Sequence, residues 1–281
     1  MEPTVMDGKL LAKSIRIELK KRASALAVRT GKIPMLATIM AGNNPDSLMY
    51  IEMKAKNCAA VGIESKKIFL PEDANTQSVI EIIRSLNSDP LVTGILLQHP
   101  TPPQIDVQAC FDAIAKEKDA DGVTSASFGA MSFKREAFVS ATALGIMKLL
   151  AHYRIETAGR HAVVLGRSPI LGKPAAMLLL NADATVTVCH TKTKNLPEMV
   201  KQADILVAAV GRPRFVQAQW LKPGVVLVDA GYNEGAGDAD LDNCIPLCSA
   251  YTPVPGGVGP MTRVTLIGQT IEAAEKLFNE N

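Results

Sequence analysis

The chain has 281 residues and a net charge of +2, with 47% hydrophobic and 21% charged residues, a globular composition that excludes a disordered chain. Thirty lysines and arginines stand against 28 aspartates and glutamates without a basic stripe, so composition gives no support to a nucleic-acid partner. No apolar run reaches the ~18–20 residues of a membrane span, and the first residues do not resemble a signal peptide.

The five cysteines are scattered and odd in number, which predicts free thiols in a reducing compartment such as the cytoplasm. Cys244 and Cys248 form a C-x3-C pair, but neither a second pair nor a nearby histidine accompanies them. We therefore expect neither a disulfide scaffold nor a metal site.

Helical and strand patterns alternate in the first half of the chain. An amphipathic helix starts near Asp7, whose carboxylate suits an N-cap, and a buried strand follows at 34–42. A second helix is predicted from Asp46 or Ser47 to Gly62. The βαβαβα order that follows predicts parallel strands. Its remaining elements are strands at 66–70 and 92–98 and helices at 76–87 and 107–115.

After a polar stretch near residues 115–136, the alternation restarts with a helix at 141–153. Valine-rich strands are predicted at 161–166, 185–190, 204–210 and 225–231, with helices at 172–182, 196–203 and 265–279. We predict a two-lobed α/β fold. Residues 1–140 form an N-terminal α/β domain, on which a C-terminal helix, 262–281, packs back. Residues 141–261 form a Rossmann-like dinucleotide-binding domain.

A glycine turn and helix start, Gly166–Pro174, follow the first strand of the second lobe. Backbone N–H groups and the helix dipole can face a phosphate there, although Ser168 replaces the second glycine of G-x-G-x-x-G. The next strand ends in His190–Thr193 and lacks the carboxylate that holds the ribose hydroxyls of NAD. Its lysine and hydroxyls, with Arg167, would attract a 2′-phosphate, which favours NADP. The histidine there is either a ligand or a plain strand-end residue.

A second polar set lies in the first lobe. Tyr50 and Lys54 are spaced i and i+4 on a helix, and Gln98 ends a strand where ligands of open α/β sheets bind. An acidic turn at 118–122 and a proline- and glycine-rich stretch at 253–262 follow. Each also has a plain structural interpretation, as a solvated helix edge, a surface turn or a connecting loop.

Together these segments resemble the bifunctional methylenetetrahydrofolate dehydrogenase/methenyltetrahydrofolate cyclohydrolase family over nearly the whole chain. The resemblance implies a folate cleft between two lobes, NADP on the second lobe, and a homodimer joined through that lobe. It implies oxidation of 5,10-methylenetetrahydrofolate and hydrolysis of the product to 10-formyltetrahydrofolate, in one-carbon metabolism. The motifs that carry it are Asn44–Ser47 with Tyr50 and Lys54, GILLQHPTP, KDADG, VVLGRSPILGKPAAMLL, ATVTVCHTKT, ADILVAAVG and TPVPGGVGPMT.

The resemblance also implies site residues by position. Lys54 corresponds to the catalytic lysine, Gln98 to the amide that partners it, Tyr50 to the ring that stacks on folate, and Asp121 to the carboxylate that receives pterin N–H groups. Further folate contacts are implied at Pro100, Pro255, Gly256, Gly257, Val258 and Gly259. Cofactor contacts are implied at Gly166, Arg167, Ser168, Thr191 and Tyr232.

The chain departs from the family pattern in four segments, one of which is residues 237–240, which read GDAD for GDVD. Residues 98–102 read QHPTP for QLPLP, residues 140–143 read SATA for PCTP, and residues 228–233 read VDAGYN for VDVGIN. Because Ala141 and Ala143 replace Cys and Pro beside the nicotinamide, we expect weak dehydrogenase relative to cyclohydrolase activity. The alternatives are a protein that keeps one activity, a folate- or nucleotide-binding protein without turnover, and a shikimate-type oxidoreductase, against which TPVPGGVGPMT argues.

Overall fold

The structure is a computed structural model that describes residues 2–279 and consists of two compact units. The residues up to Lys13 and Thr142–Thr262 form one unit, which we call the six-stranded unit. Ser14–Ala141 and the residues from Arg263 onward form the other, the three-stranded unit. Every helix in the described part of the chain is too short or too polar to cross a membrane.

Within residues 2–279 the chain forms nine β-strands and ten α-helices. The strands are β1 (Thr4–Val5), β2 (Met35–Ala41), β3 (Glu64–Leu70), β4 (Gly94–Leu97), β5 (His161–Leu165), β6 (Thr185–Cys189), β7 (Ile205–Ala208), β8 (Val225–Asp229) and β9 (Cys248–Tyr251). The helices are α1 (Gly8–Thr30), α2 (Pro45–Val61), α3 (Thr76–Ser88), α4 (Val107–Asp112), α5 (Ser125–Ser132), α6 (Ala141–His152), α7 (Gly172–Asn181), α8 (Leu196–Val200), α9 (Leu241–Cys244) and α10 (Val258–Asn279).

The sheet of the three-stranded unit has the order β3-β2-β4, and its strands are parallel as predicted. The central strand β2 is buried almost throughout, and its Ile39 pairs with Ile68 on one side and Leu97 on the other. A strand covered on both faces by helices needs apolar side chains in both directions. This explains the unbroken apolar run of β2 in the sequence.

Helix α2 begins slightly before the predicted start at Asp46 or Ser47. Asn44 is the N-cap, since its side chain accepts a hydrogen bond from the backbone N–H of Ser47 at 2.9 Å, and Pro45 occupies the first helical position. The helix ends as predicted at Gly62, which adopts a left-handed conformation with φ 87°. These two caps fix the helix that carries Tyr50 and Lys54.

The six-stranded sheet has the order β1-β9-β8-β7-β5-β6, and its strands are all parallel. The chain passes from β5 to β6 on one side, and β7, which follows β6, lies on the other side of β5. Val163 of β5 therefore pairs with both Thr187 and Leu206. This reversal of strand order is the switch point at which open α/β sheets bind ligands.

Two strands of this sheet were not predicted. Strand β1 pairs with β9 through Thr4 with Ala250 and Val5 with Tyr251, so the residues up to Lys13 belong to the six-stranded unit. The N-terminal domain was predicted to begin at residue 1, whereas the contacts group the three-stranded unit from Ser14. A two-residue strand has no periodicity, and both residues of β1 are exposed, so nothing in the local sequence indicates the pairing.

Helix α5 lies inside the polar stretch at 115–136, where the sequence predicts no helix or strand. Thr124 caps it, since its side chain accepts a hydrogen bond from the N–H of Ser127 at 3.0 Å. The eight-residue helix is rich in serine, alanine and glycine, and so has no apolar stripe for a pattern to reveal.

From Arg263 onward, helix α10 packs within the three-stranded unit. Gln269 Nε2 donates hydrogen bonds to the carbonyls of Ala120 at 2.7 Å and Val139 at 2.9 Å. Near the end of the helix, the Glu275 carboxylate accepts two hydrogen bonds from the Arg22 guanidinium of α1, from Nε at 3.1 Å and from Nη2 at 2.6 Å. The helix therefore supports the turn that carries Asp121.

Helix α1 begins where the sequence predicts. Asp7 is its cap, since Oδ1 accepts a hydrogen bond from the N–H of Leu10 at 2.8 Å. Further along, Leu26 of α1 packs with Ala274 and Phe278 of α10 in a small apolar cluster. Contacts with α10 therefore continue beyond the ion pair of Arg22.

Candidate functional site

Lys54 and Gln98 meet in the three-stranded unit. Helix α2 carries Lys54, and Gln98 directly follows β4. Lys54 Nζ donates a hydrogen bond to Gln98 Oε1 at 2.7 Å. Gln98 Nε2 donates to the carbonyl of His99 at 2.6 Å, so the amide nitrogen is already engaged and the oxygen faces the lysine. The structure brings these two predicted site residues together.

The segment after β4 is anchored on both sides. Ser47 Oγ donates to the carbonyl of His99 at 3.3 Å, and the His99 ring lies edge-on to Phe111 with 5.1 Å between centroids. His99 Nε2 is buried without a hydrogen-bond partner among the described residues. Burial lowers the pKa of His99, and the positive charge of Lys54 lowers it further. His99 is therefore a neutral, apolar-packed neighbour of the lysine.

The acidic turn is built by buried groups, so it is not a plain surface turn. Lys118 Nζ donates to three carbonyls at the end of α3, at 2.7 to 3.0 Å. The Asp119 carboxylate accepts two backbone N–H groups at 3.0 Å each. Gly122 has φ 65°, and a Cβ there would lie 2.1 Å from the carbonyl carbon of Val139. These contacts fix the turn and hold Asp121 in position.

Lys54 and Asp121 influence each other's protonation. Burial lowers the pKa of Lys54, the negative charge of Asp121 opposes this, and the positive charge of Arg263 adds to it. Burial raises the pKa of Asp121 to about 7, with Lys54 acting to lower it and Asp119 to raise it. Both side chains remain partly exposed, so a ligand can reach them. The site therefore combines an amine that loses its proton readily with a carboxyl group that titrates near neutrality.

A second candidate site is a cavity of about 430 Å³ in the six-stranded unit, at the carboxyl ends of β5, β6 and β7. Four of the five predicted cofactor residues line it. The fifth, Tyr232, is 52% exposed and does not line it. The lining residues are Leu165, Gly166, Arg167, Ser168, Cys189, His190, Thr191, Thr193, Leu196, Ala209, Val210, Arg212 and Phe215.

The turn at the mouth of this cavity requires its glycines. Gly166 has φ 117°, and a Cβ there would lie 2.1 Å from the carbonyl oxygen of Ala209. A Cβ on Gly172 would lie 2.3 Å from the carbonyl oxygen of Gly166. Ser168, which stands where the usual motif has glycine, accepts a hydrogen bond from the N–H of Gly172 at 3.3 Å. The serine therefore organises the start of α7 and keeps its hydroxyl at the cavity.

The segment after β6 forms a compact turn beside Arg167. His190 N donates to Thr193 Oγ1 at 2.9 Å, and His190 Nδ1 accepts from the N–H of Lys192 at 3.2 Å. The histidine thus organises the turn as well as lining the cavity. Among the described residues that line the cavity, none is acidic, and Arg167 and Arg212 are basic. This charge pattern suits a phosphate on the ribose.

Arg212 and Phe215 were not among the predicted site residues. The Arg212 guanidinium lies over the Phe215 ring, 4.6 Å from its centroid. The Asp238 carboxylate accepts hydrogen bonds from the N–H groups of Val210, Gly211 and Arg212, at 2.6 to 2.9 Å. A Gly-Arg-Pro turn directly after a predicted strand is the sequence signal that could have pointed to this loop.

The segment from Pro255 to Gly259 belongs to the six-stranded unit, whereas Pro100, an exposed residue after His99, belongs to the three-stranded unit. The carbonyl of Gly256 accepts a hydrogen bond from the N–H of Lys9 at 2.8 Å. The backbone at Gly257 lies so close to Gly8 that a Cβ on Gly8 would meet it at 1.9 Å. The segment is thus a closely packed backbone. Its implied role in folate binding stays a prediction.

Comparison with known proteins identifies the family. Residues 6–121 match the catalytic domain of tetrahydrofolate dehydrogenase/cyclohydrolase, and residues 140–278 match its NAD(P)-binding domain. The bifunctional protein FolD of Cellvibrio japonicus is 55% identical, over 98% of this chain and 99% of its own.

Two solved structures are similar throughout. The bifunctional enzyme FolD of Campylobacter jejuni has a TM-score of 0.94 at 40% identity, covering 97% of this chain and 99% of its own. The methylenetetrahydrofolate dehydrogenase-cyclohydrolase of Trypanosoma brucei, complexed with NADP cofactor and inhibitor, has a TM-score of 0.93 at 35% identity, covering 98% of each chain. The chain therefore belongs to the tetrahydrofolate dehydrogenase/cyclohydrolase family.

Proposed function

We infer that the chain oxidises 5,10-methylenetetrahydrofolate with NADP and hydrolyses the methenyl product to 10-formyltetrahydrofolate. The observation that carries this inference is the hydrogen bond from Lys54 to Gln98 beside Asp121. Family membership over both domains supports it. The comparisons give no support to a protein with a single activity or to a binding protein without turnover.

The cavity of the six-stranded unit fits NADP. Its glycine turn leads directly into α7, whose N-terminus can face a phosphate, and its two arginines and its hydroxyls suit a second phosphate on the ribose. We propose that Arg167, Ser168 and Thr191 hold the cofactor there. When bound, NADP supplies the hydride acceptor of the oxidation.

We propose that Lys54 carries the proton transfers of the hydrolysis. Its neutral amine at Nζ accepts a proton as water attacks the methenyl cation, and the resulting ammonium returns a proton to the departing nitrogen. Gln98 Oε1 holds an N–H of the amine or ammonium in either state. The two oxygens of Asp121 accept pterin N–H groups, which favours the ionised carboxylate once substrate is bound.

We also propose the assembly and the location of the protein. The six-stranded unit acts as the NADP domain and joins two copies in a homodimer, and the three-stranded unit acts as the folate domain. Five buried free thiols suit the reducing cytoplasm. Light scattering on the purified protein tests the dimer, since a monomeric mass at micromolar concentration contradicts it.

An absorbance assay with methylenetetrahydrofolate and either NADP or NAD tests the function. Reduced cofactor and the methenyl chromophore are followed separately in the same sample. We expect reduction of NADP followed by decay of the methenyl compound. If either cofactor is reduced but added methenyltetrahydrofolate decays only at the uncatalysed rate, the bifunctional assignment is wrong.

A further inference from the structure

Two arginines of the three-stranded unit lack a counter-ion among the residues that the structure describes. Arg16 lies on α1 and Arg263 on α10, and both are partly buried. Within the described part of the chain, neither guanidinium forms an ion pair or a hydrogen bond, and Arg16 Nε is buried without an acceptor. A guanidinium carries five N–H donors, so leaving a buried one unsatisfied is costly.

Helix packing places the two arginines at the same level. A Cβ on Gly268 of α10 would lie 3.5 Å from Leu19 of α1. Further along both helices, Arg22 pairs with Glu275 and Leu26 packs with Phe278. The two helices therefore run side by side in the same direction. Counting back about one turn from Leu19 leads to Arg16, and counting back about one and a half turns from Gly268 leads to Arg263.

Arg263 lies within electrostatic reach of the candidate active site, and Arg16 lies within reach of Arg263. Burial lowers the pKa of Arg263, the positive charge of Arg16 lowers it further, and Tyr50 acts to raise it. Arg263 in turn acts on Lys54. Arg263 is therefore coupled electrostatically to Arg16 and to Tyr50, and it acts on Lys54, whose charge Asp121 favours.

The N–H donors of two partly buried arginines without a protein acceptor among the described residues would be satisfied by a bound anion. The planar guanidinium matches a carboxylate through two parallel hydrogen bonds, which a lysine cannot form. In a partly buried position such bonds are stronger than in water. The ligand that fits this pair best is therefore a carboxylate.

We propose that Arg16 and Arg263 bind a carboxylate at the glutamyl end of the tetrahydrofolate substrate. The proposal rests on the proposed function, because the carboxylates of a tetrahydrofolate belong to its glutamyl portion. Asp121 would receive the pterin end and Tyr50 would stack on the aromatic middle. The arginine pair then lies beyond Tyr50, where the substrate carries its negative charge.

Kinetics with two substrates test the proposal. Arg16→Gln and Arg263→Gln are compared with the native protein on 5,10-methylenetetrahydrofolate and on the corresponding tetrahydropteroate, which lacks the glutamyl group. We expect the KM for the folate to rise roughly 10- to 100-fold, as typical for a lost charged hydrogen bond, with kcat within about twofold. The KM for the pteroate should not change, and Arg263→Lys should recover part of the loss.

The matched control is Arg22→Gln, which removes an arginine of α1 that already has a partner in Glu275. Its ratio of KM values for the two substrates should equal that of the native protein. Equal losses on both substrates, or no loss on the folate, would overturn the proposal. Because Arg263→Lys keeps the charge, it still tests the site if a glutamine variant does not fold.

Calorimetric binding of 5-formyltetrahydrofolate and its pteroate counterpart separates this proposal from the proposed function. If the native protein binds the folate more tightly but turns over neither substrate, the assigned activity fails and the arginine site stands. If the native protein binds both compounds equally, the arginine site is wrong, whatever the turnover.

Discussion

Gln98 Oε1 lies 2.7 Å from Lys54 Nζ because the amide nitrogen of Gln98 is held by the carbonyl of His99. The lysine thus meets a neutral acceptor rather than a carboxylate. A neutral acceptor holds the amine in place without stabilising its charge as strongly as an anion would. This arrangement preserves the lowered pKa that burial gives to Lys54.

Gln98→Glu should therefore impair hydrolysis. A negative charge at the same position raises the pKa of Lys54, so less neutral amine is present at neutral pH. We expect cyclohydrolase activity to fall about tenfold or more at pH 7 and to recover as the pH rises. A pH profile of methenyltetrahydrofolate decay checks this, with the exposed Gln202→Glu as control. An unchanged profile would show that the amide does not tune the lysine.

The buried carboxyl group of Asp121 should destabilise the folded protein at pH values above 3.8, its pKa in the unfolded chain. Its pKa is raised to about 7 in the folded protein, from 3.8, chiefly by burial. Between these values the folded state binds more protons than the unfolded state, so stability falls as pH rises. Asp121→Asn should remove this loss and raise the melting temperature at pH 8 more than at pH 5, while weakening folate binding.

Thermal melts at pH 4, 5 and 8 measure the effect, with the exposed Asp73→Asn as control. The difference between the two proteins should narrow towards pH 4 and vanish below pH 3.8, because the carboxyl group is then protonated in both the folded and the unfolded state. A larger gain at pH 5 than at pH 8 would contradict the raised pKa. Asp229, whose pKa burial raises to about 6, contributes a slope of the same sign in both proteins and cancels in the comparison.

Much of this site could be predicted from the sequence because its parts have local signals. Tyr50 and Lys54 share a helix face that is capped by recognisable residues, and Gln98 follows an apolar strand. What the sequence hides is contact between distant residues. Two examples are the pairing of β1 with β9 and the hydrogen bond that the Asp238 carboxylate accepts from the N–H of Arg212. Each joins segments that are far apart in the chain, and no periodic pattern in the sequence indicates either contact.

Arg167→Ala should weaken NADP far more than NAD. Arg167 lines a cavity whose described lining residues include no carboxylate, and a 2′-phosphate gains charge-assisted hydrogen bonds there. A loss of about 1.5–3 kcal/mol is typical for such a bond, which corresponds to roughly 10- to 150-fold in KM for NADP. Initial rates with both cofactors measure it, with the exposed Arg160→Ala as control. If KM rises equally for the two cofactors, Arg167 contacts a group that NADP and NAD share, and the prediction is wrong.

Restoring the family residues at Ala141 and Ala143 should speed hydride transfer. Both alanines are fully buried, and both lie in the first turn of α6, where the fixed φ of proline is compatible with the helix. Larger and stiffer side chains should place the nicotinamide better, and a misplacement of ~1 Å costs about a hundredfold. Single-turnover rates of the Cys and Pro double variant test this. A variant that folds but is no faster would contradict it.

Lys54→Met should separate the two reactions. Hydride transfer moves no proton, so it depends on Lys54 only through substrate placement. Hydrolysis needs a proton removed from water and one delivered to the departing nitrogen, and general acid–base groups typically contribute ~10²–10⁴-fold. Methionine is apolar and similar in length to lysine. Its neighbour Cys58, the next buried side chain on the same face of α2, is compatible with an apolar residue because burial raises the pKa of its thiol to about 12 and so keeps it uncharged.

We therefore expect the methionine variant to fold, to bind NADP and to keep some dehydrogenase activity, while methenyltetrahydrofolate accumulates. Following both absorbances in one reaction measures this directly. Lys56→Met, an exposed lysine on the same helix, is the control and should behave as the native protein. If the Lys54 variant clears the methenyl compound at the native rate, Lys54 has no part in the hydrolysis. His99 would then be the next proton carrier to test, because its buried Nε2 has no partner among the described residues.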